Sequence, residues 1–392
     1  MEQSRSISEV KGCYGCGLCA TVCPIKIIQI QISDSGFYEP YIADGKQCVH
    51  CGLCRSVCSY LHDTISVKQE VSASYAAWSK DSLIRKKSSS GGVWYELASY
   101  CISKGYKVCA VRYNATKKRA EHYIASMLYE MDASLGSKYI QSYTVDAFKA
   151  INRNEKYIVS GTPCQIDSFR RYIRSVNRED NFILVDFFCH GVPSIKLWEK
   201  YMRWAEYRIG GINSVSWRNK NDGWHDSWAM KMDGQKGSLY SRYSKDDPFY
   251  NIFLSDSCLG KACYDKCKYK YRNSAADIRI GDLWGAKYSK NEEGVSAVAV
   301  FTKKGISLLN ACSCVLIEEP FDIIAEAQMK KAAERTKIFS PIQIMLNDES
   351  VKIEKINSVV QKDRRKRKMI HYINRLRQPI NLFKCIIKRL DK

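Results

Sequence analysis

The feature that most constrains this sequence is a four-cysteine run that occurs twice near its start. The run has the spacing C-x2-C-x2-C-x3-C and recurs 35 positions later. Its members are Cys13, Cys16, Cys19 and Cys23, and then Cys48, Cys51, Cys54 and Cys58. Thiolates bind iron well, and three cysteines on one short loop can reach three corners of a cubane while the fourth ligates the neighbouring cluster. The repeat therefore predicts two 4Fe-4S clusters.

The spacing also predicts how the cysteines are shared between the two clusters. We expect one cluster on Cys13, Cys16, Cys19 and Cys58, and the other on Cys48, Cys51, Cys54 and Cys23. A zinc site or a set of free thiols is the alternative, but zinc sites usually pair two C-x2-C motifs across a longer gap. One local difference is that Ser59 follows the second run where Pro24 follows the first.

The composition agrees with a globular redox protein. The chain has 392 residues, 45% hydrophobic and 26% charged, which excludes a disordered chain. It contains 18 cysteines, and residues 1–11 lack the apolar core of a signal peptide. We therefore expect a cytoplasmic protein whose cysteines serve metal or redox chemistry rather than disulfides.

The order of patterns predicts four regions. An α+β ferredoxin-like two-cluster module is expected over residues 1–62, with a short strand at 25–32. After a polar linker, strands and helices alternate over 75–155 and 156–320, which predicts an α/β body in two parts. A helix is expected at 92–104, with strands at 107–111, 156–160 and 181–188. Residues 321–392 are expected to form a basic amphipathic tail.

Three glycine-bearing turns stand at predicted element boundaries. Residues 88–92 read Ser-Ser-Ser-Gly-Gly immediately before the first helix of the body. Free N–H groups at such a helix start attract phosphate, so the turn predicts either a nucleotide pyrophosphate site or a plain N-cap. Residues 160–165 and 189–194 follow strands in the same way, and ligands of α/β sheets gather at strand ends.

A third group of cysteines has the spacing C-x4-C-x3-C. Cys258, Cys263 and Cys267 are candidates for a third cluster, with Cys164 or Cys189 as the fourth ligand. A zinc site and inert thiols remain open as alternatives. His190, beside Cys189 in its turn, is the candidate proton donor.

The net charge of +21 is concentrated in the last region. Residues 352–392 hold 14 Lys or Arg against 3 Asp or Glu. A dense basic run at 364–368 precedes Met369, Ile370, Ile373 and Leu376 at helical spacing. This pattern favours an anionic membrane surface, with a helix packed on its own domain as the alternative. No nucleic-acid motif supports the third possibility, nucleic acid.

Taken together, the motifs resemble the coenzyme F-420 hydrogenase/dehydrogenase beta-subunit family, fused to an N-terminal 2x4Fe-4S ferredoxin domain. The resemblance covers about residues 10 to 300. It rests on residues 86–92, 135–142, 161–166, 186–194, 258–267 and 277–285. One departure is Ile195, where a second proline often follows. The 7-hydroxymethyl chlorophyll a reductase is a relative with the same body.

The resemblance implies a non-covalent FAD beside the iron-sulfur clusters. By this resemblance the candidates to line the flavin are Ser88, Ser89, Ser90, Gly91, Gly92, Ser137, Lys138, Tyr139, Thr162 and Gln165. Cys189 and His190 are the candidate catalytic residues. The resulting expectation is an iron-sulfur flavoprotein oxidoreductase that reduces an organic or deazaflavin-like substrate.

Two further interpretations accompany this expectation. The chain is alternatively a non-catalytic electron-transfer subunit that hands electrons to a partner enzyme. Its expected partners are an electron donor such as ferredoxin or a redox partner subunit. The tail adds a possible location at the inner membrane face.

Overall fold

The computed structural model describes residues 7–43 and 45–390, with side chains as far as residue 373 except that of Ser8. Within these residues the strands are β1 (Ile28–Ile32), β2 (Tyr38–Ile42), β3 (Ala73–Ser79), β4 (Lys107–Asn114), β5 (Arg119–Ala125), β6 (Ser142–Tyr143), β7 (Tyr157–Ser160), β8 (Phe182–Phe187), β9 (Ile212–Ser216), β10 (Ala229–Gly234), β11 (Gly237–Arg242), β12 (Ile278–Asp282), β13 (Ser296–Val300) and β14 (Cys314–Glu318).

The α-helices of the described residues alternate with these strands through most of the chain. They are α1 (Leu18–Val22), α2 (Leu53–Ser56), α3 (Ser82–Lys87), α4 (Val93–Ser103), α5 (Val145–Ala150), α6 (Pro163–Ser175), α7 (Ile195–Ile209), α8 (Pro248–Phe253), α9 (Lys261–Asp265), α10 (Lys303–Ala311), α11 (Phe321–Ile324), α12 (Phe339–Asn347) and α13 (Ile353–Leu390).

The first module is built around the hairpin of β1 and β2, which pair antiparallel. The predicted strand at 25–32 begins only at Ile28, because Lys26 has a φ of 54° and lies in a turn after Cys23. The short helices α1 and α2 follow the first cysteines of each run and contact each other. The module is therefore α+β, as expected.

The body is organised around one nine-stranded sheet in the order β14-β3-β13-β12-β8-β7-β4-β5-β6. Its centre is parallel, since β4, β7, β8 and β12 run in the same direction. The pairs β12–β13, β13–β3, β14–β3 and β4–β5 are antiparallel. The body is thus mixed α/β, and both predicted parts contribute strands to the same sheet.

The parallel centre decides where the predicted turns meet. The turns at 160–165 and 188–194 follow β7 and β8, which are neighbours, and the turn after Asp282 follows β12, the next strand. All three therefore lie at the carboxyl edge of the sheet, where ligands of α/β sheets bind. The turn at 88–92 lies at this edge beside the start of β13 and the end of β3, since the backbone N–H of Gly91 donates to Ser296 Oγ and its carbonyl oxygen accepts from the N–H of Ser79.

A second core forms outside the main sheet. The sheet β11-β10-β9 packs with α7 and α8 around the buried residues Trp198, Trp217 and Phe249. The rings of Trp198 and Trp217 lie 5.0 Å apart, centroid to centroid. This aromatic core supports the loops that cover the carboxyl edge of the main sheet.

The region predicted as one tail, 321–392, is divided by the structure. Phe321 and Ile324 of α11 are buried against β3 and β13, and Ile342 of α12 is buried in the second core. Ile353, Ile356 and Val360 extend this burial into the first turns of α13. Apolar side chains at these positions pack on the body. Only the part of α13 after Val360 is therefore left as a tail. No helix of the described part is long and apolar enough to cross a membrane.

Candidate functional site

The cysteines of the first predicted cluster surround one small space. Cys13, Cys16, Cys19 and Cys58 line a narrow, mostly apolar cavity together with Ile30. A cubane is bound at four separate corners, so its ligands need to enclose a small volume. Cys58, from the second run, joins three cysteines of the first run, which is the exchange that the spacing predicts.

The cysteines of the second predicted cluster lie nearer the surface. Burial raises the pKa of the Cys54 thiol, and the neighbouring thiols of Cys48, Cys51 and Cys23 raise it further. Cys23 of the first run therefore stands with three cysteines of the second. Cys51 is exposed, whereas Cys19 is buried. The two predicted clusters thus form an outer and an inner site.

Glycines let the chain bend around both sites. Gly17 and Gly52 precede α1 and α2 with φ of 72° and 76°, in the left-handed region. A Cβ on Gly17 would lie 2.4 Å from Thr144 Oγ1 of the body, so glycine also permits the module to pack closely there.

Ser59, which replaces the expected proline, connects the inner site to the body. Its backbone N–H donates to Ser168 Oγ at 3.2 Å, a bond that proline has no hydrogen to make. Its hydroxyl donates to the carbonyl oxygen of Cys164 at 3.1 Å, and Ser168 Oγ also lies 3.3 Å from Cys16 Sγ. The departure from the expected motif therefore has a structural reason.

Four cysteines from the body enclose a further cavity, and they differ in part from the predicted set. The lining residues include Cys164, Cys189, Cys263 and Cys267. Burial raises the pKa of the Cys164 thiol, and its neighbours Cys189, Cys263 and Cys267 raise it further. Four thiolates in so buried a space repel one another unless a positively charged group lies between them.

Cys258 does not join this group, which corrects the predicted ligand set. Its side chain has no exposed surface and lies in the aromatic core with Phe249 and Phe253. Its thiol points to the carbonyl oxygen of Ile252 at 3.7 Å. The spacing C-x4-C-x3-C was misleading because Cys258 lies before the turn into α9, whereas Cys263 and Cys267 lie within and just after that helix.

The order of strands in the sheet gives a reason to group Cys164 with Cys189 that the spacing of the cysteines does not give. Cys164 and Cys189 each follow a strand, and those strands, β7 and β8, are parallel neighbours. Their carboxyl ends meet, so both cysteines were candidates together rather than as alternatives.

A site for a single metal ion is a different arrangement from a cavity that would hold a cubane. Among the described side chains, no three or more His, Cys, Asp or Glu residues converge closely enough to hold a single metal ion.

A cavity of about 390 Å³, hereafter the large cavity, lies at the carboxyl edge of the sheet. It is lined by nearly all of the residues predicted to contact a flavin, namely Ser88, Ser89, Ser90, Gly92, Ser137, Lys138, Tyr139, Thr162 and Gln165. Gly91 does not line it. A Cβ there would lie 2.3 Å from the carbonyl oxygen of Ala77, so Gly91 is needed for packing behind the cavity wall.

The serine-rich turn presents an uncapped helix start to this cavity. Gly92 is the N-cap of α4 with a φ of 87°, and no side chain caps the helix. Ser89 Oγ accepts a hydrogen bond from the backbone N–H of Ser137 at 2.7 Å, joining two walls of the cavity. Lys220 Nζ holds the turn from outside through the carbonyl oxygen of Ser90 at 2.6 Å. Free N–H groups at the start of an 11-residue helix suit a phosphate group.

Lys138 adds an amine to the same wall. Its Nζ donates to the carbonyl oxygens of Ala133, Leu135 and Gly136. Burial lowers the pKa of Lys138 to about 7. An anionic group bound beside it would favour the charged amine, so the wall has the chemistry of a pyrophosphate site.

Thr162 and Gln165 use their polar atoms in hydrogen bonds within the protein. Gln165 Oε1 accepts from the backbone N–H of Thr162 at 2.9 Å, which forms a capping box at the start of α6. Gln165 Nε2 donates to Ser142 Oγ at 3.2 Å. Both residues shape the cavity wall, and their side chains are already hydrogen-bonded.

Another part of the cavity lining is aromatic, and only Tyr139 among its members was predicted from the sequence. Trp228, Trp284 and Tyr139 line it. The Arg218 guanidinium lies 4.8 Å from the ring centre of Trp228 and 5.0 Å from that of Trp284. Arg218 also donates to Asp282 at 2.8 Å and to the Tyr139 hydroxyl at 3.1 Å. A buried arginine that connects four distant residues leaves no signal in the local sequence.

Burial and charge act in opposite directions on Arg218. Burial would lower the pKa of this guanidinium, but the carboxylate of Asp282 more than offsets the effect and raises it above its usual value. Arg218 therefore stays charged and fixes the position of Asp282, the last residue of β12, just before the turn that follows this strand.

The two candidate catalytic residues both border the large cavity. His190 Nε2 lies 2.7 Å from Asp256 Oδ1, and both side chains are partly exposed. Cys189 lines the large cavity and the four-cysteine cavity alike. Lys270 Nζ donates to the carbonyl oxygens of Cys189 and His190, which holds this turn in place.

The cavities adjoin one another in a series. The inner cluster cavity and the four-cysteine cavity share Cys13 and Tyr14. The four-cysteine cavity and the large cavity share Cys189, Thr162 and Lys270 among others. The order along this series is the outer site, the inner site, the four-cysteine cavity and the large cavity.

The paired four-cysteine runs lie on a ferredoxin-like module that is joined to a mixed α/β body. This combination defines an iron-sulfur redox protein. Family models identify the parts. The 4Fe-4S dicluster domain matches residues 12–61. The N-terminal part of the coenzyme F420 hydrogenase/dehydrogenase beta subunit matches residues 74–149, and its C-terminal part matches residues 154–319. The chain belongs to the coenzyme F420 hydrogenase/dehydrogenase beta-subunit family, as the sequence resemblance predicted.

A chain of the F420-reducing NiFe hydrogenase complex from Methanosarcina barkeri, solved as a xenon derivative, is 17% identical to this protein. The match covers 77% of this chain and 94% of that chain with a TM-score of 0.45. No curated protein matches this chain.

Proposed function

We propose that this protein is an iron-sulfur flavoprotein oxidoreductase that delivers electrons from its 4Fe-4S clusters to an organic or deazaflavin-like acceptor. Membership of an oxidoreductase subunit family supports the general class. The observation that carries the specific proposal is the shared wall between the four-cysteine cavity and the large cavity. Iron held by the cysteines of the first cavity would lie beside a ligand bound in the second, where it could supply electrons.

The proposed cofactors are three 4Fe-4S clusters and FAD. The third cluster is assigned to Cys164, Cys189, Cys263 and Cys267, which removes Cys258 from the ligands and Cys189 from the catalytic residues. The uncapped start of α4, with Lys138 nearby, suits the FAD pyrophosphate, and the aromatic wall suits planar rings. When bound, FAD converts single electrons from clusters into the electron pairs that organic acceptors take.

The side chains of this protein have defined tasks in that reaction. His190, oriented by Asp256, holds a proton at Nε2 or Nδ1 at the edge of the large cavity. Arg218 keeps Asp282 and Tyr139 in position. Lys270 holds the backbone that carries Cys189 and His190.

The first experiment is the cofactor content of an anaerobic preparation. Three cubanes give about 12 iron and two give about 8 per chain. We expect about 12 with one FAD. Iron without flavin would contradict the flavoprotein proposal and leave an electron carrier.

A matched pair of variants tests the site itself. Ser89→Ala removes the acceptor for the N–H of Ser137, and we expect about tenfold weaker FAD binding with unchanged iron. Ser103→Ala makes the same change at the exposed far end of α4 and is expected to leave FAD binding unchanged. Equal flavin loss in both variants would reject the site.

The second candidate function is a non-catalytic electron-transfer subunit. Its support is that the family name describes a beta subunit, which implies redox partner subunits. Turnover of the isolated chain with a reduced ferredoxin and a small acceptor dye distinguishes the two functions. Turnover supports the oxidoreductase, and its absence in a flavin-loaded protein supports the subunit.

A further inference from the structure

No described side chain of α13 lines the cluster cavities or the large cavity. Ile353, Ile356 and Val360 bury the start of the helix against the body. Beyond them, Met369, Ile370, Tyr372 and Ile373 expose 59%, 45%, 64% and 38% of their surfaces. Exposed apolar residues grouped on one helix mark an interaction surface.

The helix geometry directs this surface away from the body. Met369 follows Val360 by nine residues, and at about 100° per residue this is half a turn beyond two full turns. Ile373 lies one turn further along the same side. The face that carries Met369 and Ile373 is therefore opposite the face that packs on the body.

Cations border this apolar face. Arg364 to Lys368 are five consecutive basic residues. Arg364 lies over the ring of Tyr243, and Arg367 pairs with Asp363. Within the described residues, no hydrogen bond or ion pair engages Arg365, Lys366 or Lys368, which are all exposed. Their charge is available to an anionic partner.

The charge of α13 distinguishes between the partners that could bind its apolar face. Leu376, Ile380, Phe383 and Ile387 continue the apolar spacing in the sequence, a pattern that two copies of a helix can also use. However, residues 364–390 contain basic residues and no acidic ones, so two copies side by side would repel each other. Nucleic acid would match the cations but not the apolar stripe. A lipid surface with anionic headgroups matches both.

We propose that α13, from Arg364 onward, lies on an anionic phospholipid bilayer. Arg365, Lys366 and Lys368 contact the headgroups, and Met369, Ile370 and Ile373 enter the interface. The bilayer then contacts one face of α13, and the body lies on the opposite, aqueous side of this helix. The proposal is independent of the proposed function, because it requires neither flavin nor turnover.

Sedimentation of the full-length holoprotein with vesicles tests the proposal. The vesicles are phosphatidylcholine with and without phosphatidylglycerol. We expect binding only where phosphatidylglycerol is present. The triple variant Arg365→Glu, Lys366→Glu, Lys368→Glu is expected to bind at least roughly a hundredfold more weakly, because each basic residue near an anionic leaflet strengthens binding about fivefold.

A matched control separates this surface from net charge. Lys236→Glu, Lys290→Glu, Lys303→Glu changes three exposed lysines elsewhere and is expected to retain nearly all binding. The variant Met369→Asp, Ile373→Asp is expected to lose binding while keeping its iron content. Equal loss in both charge variants, or wild-type protein that stays in the supernatant, overturns the proposal. Concentration-dependent dimers that only Met369→Asp, Ile373→Asp abolishes would instead identify a second copy as the partner, and tighter binding to duplex DNA than to vesicles would identify nucleic acid.

Discussion

At the scale of single residues, the cysteines show how burial distinguishes chemistry from packing. Cys258 and Cys263 are close in sequence, yet one lies in the aromatic core and the other lines the four-cysteine cavity. Ser59 shows the same principle for a polar residue, since its N–H and hydroxyl both connect the module to the body. The role of each of these residues therefore depends on its contacts in the folded protein and not on its position in a sequence motif.

Replacing two cysteines separately tests the assignment of the third cluster. Cys189→Ser is expected to lower iron by about 4 per chain, because it removes a ligand of one cubane. Cys258→Ser is expected to keep all the iron and to lower the free energy of unfolding by about 1–2 kcal/mol, because it places a hydroxyl in apolar surroundings. Iron analysis and urea unfolding measure both effects. If Cys258→Ser lost the iron and Cys189→Ser kept it, the assignment would be reversed.

At the scale of elements, the hairpin of β4 and β5 is stabilised by one buried carboxylate. Glu121 is 5% exposed and accepts hydrogen bonds from Arg112, Arg119 and Asn114. Burial would raise the pKa of Glu121, but these donors outweigh it and lower the pKa to about 2. The hairpin forms part of the edge of the main sheet, beside β6.

The direction of this shift predicts a pH dependence. A carboxylate with a depressed pKa stabilises the fold above its unfolded pKa, near 4.5, and this contribution is lost as the pH falls toward about 2. We expect Glu121→Gln to lower the free energy of unfolding at neutral pH by about 2–3 kcal/mol. The difference from wild type should shrink as the pH falls below about 4.5.

Urea unfolding over a series of pH values checks this expectation. The control is Glu318→Gln, at an exposed position of β14, which is expected to change stability by no more than about 0.5 kcal/mol at any pH. A difference between Glu121→Gln and wild type that stayed constant from neutral pH to about pH 3 would contradict the role assigned to the carboxylate.

At the scale of the whole molecule, the cluster sites form a gradient of exposure. Cys51 of the outer site is exposed, Cys19 of the inner site is buried, and the four-cysteine cavity lies against the main sheet. The sheet joins both halves of the family match. The inner cluster cavity, the four-cysteine cavity and the large cavity share lining residues, so they adjoin one another.

This gradient predicts the order in which oxygen damages the protein. On exposure to air, iron is expected to fall first from about 12 to about 8 per chain, as the outer cluster is lost, and only later further. Iron analysis and electron paramagnetic resonance at timed intervals measure the loss. Simultaneous loss of all clusters would contradict the outer and inner arrangement.

Much of the fold and of the site was predictable because it rests on short-range patterns. The strands at 107–111, 156–160 and 181–188 and the helix at 92–104 are present with small changes in their limits. The exchange of Cys23 and Cys58 also follows from spacing, since a loop of this length can reach only three corners of a cubane. The mixed direction of the sheet and the tryptophans around Arg218 depend on long-range contacts and were not predicted. The packing of the C-terminal region on the body was predicted only as the alternative for a basic tail.

The sequence by itself determined the ferredoxin-like module, the family and the basic character of α13, because cysteine spacing and charge are local properties of the chain. Only the tertiary structure decided that Cys164 and Cys189 stand together with Cys263 and Cys267, and that Cys258 does not. The physical reason is that a site at the carboxyl edge of a sheet is assembled from turns far apart in sequence. Their meeting depends on strand order, which local patterns do not specify.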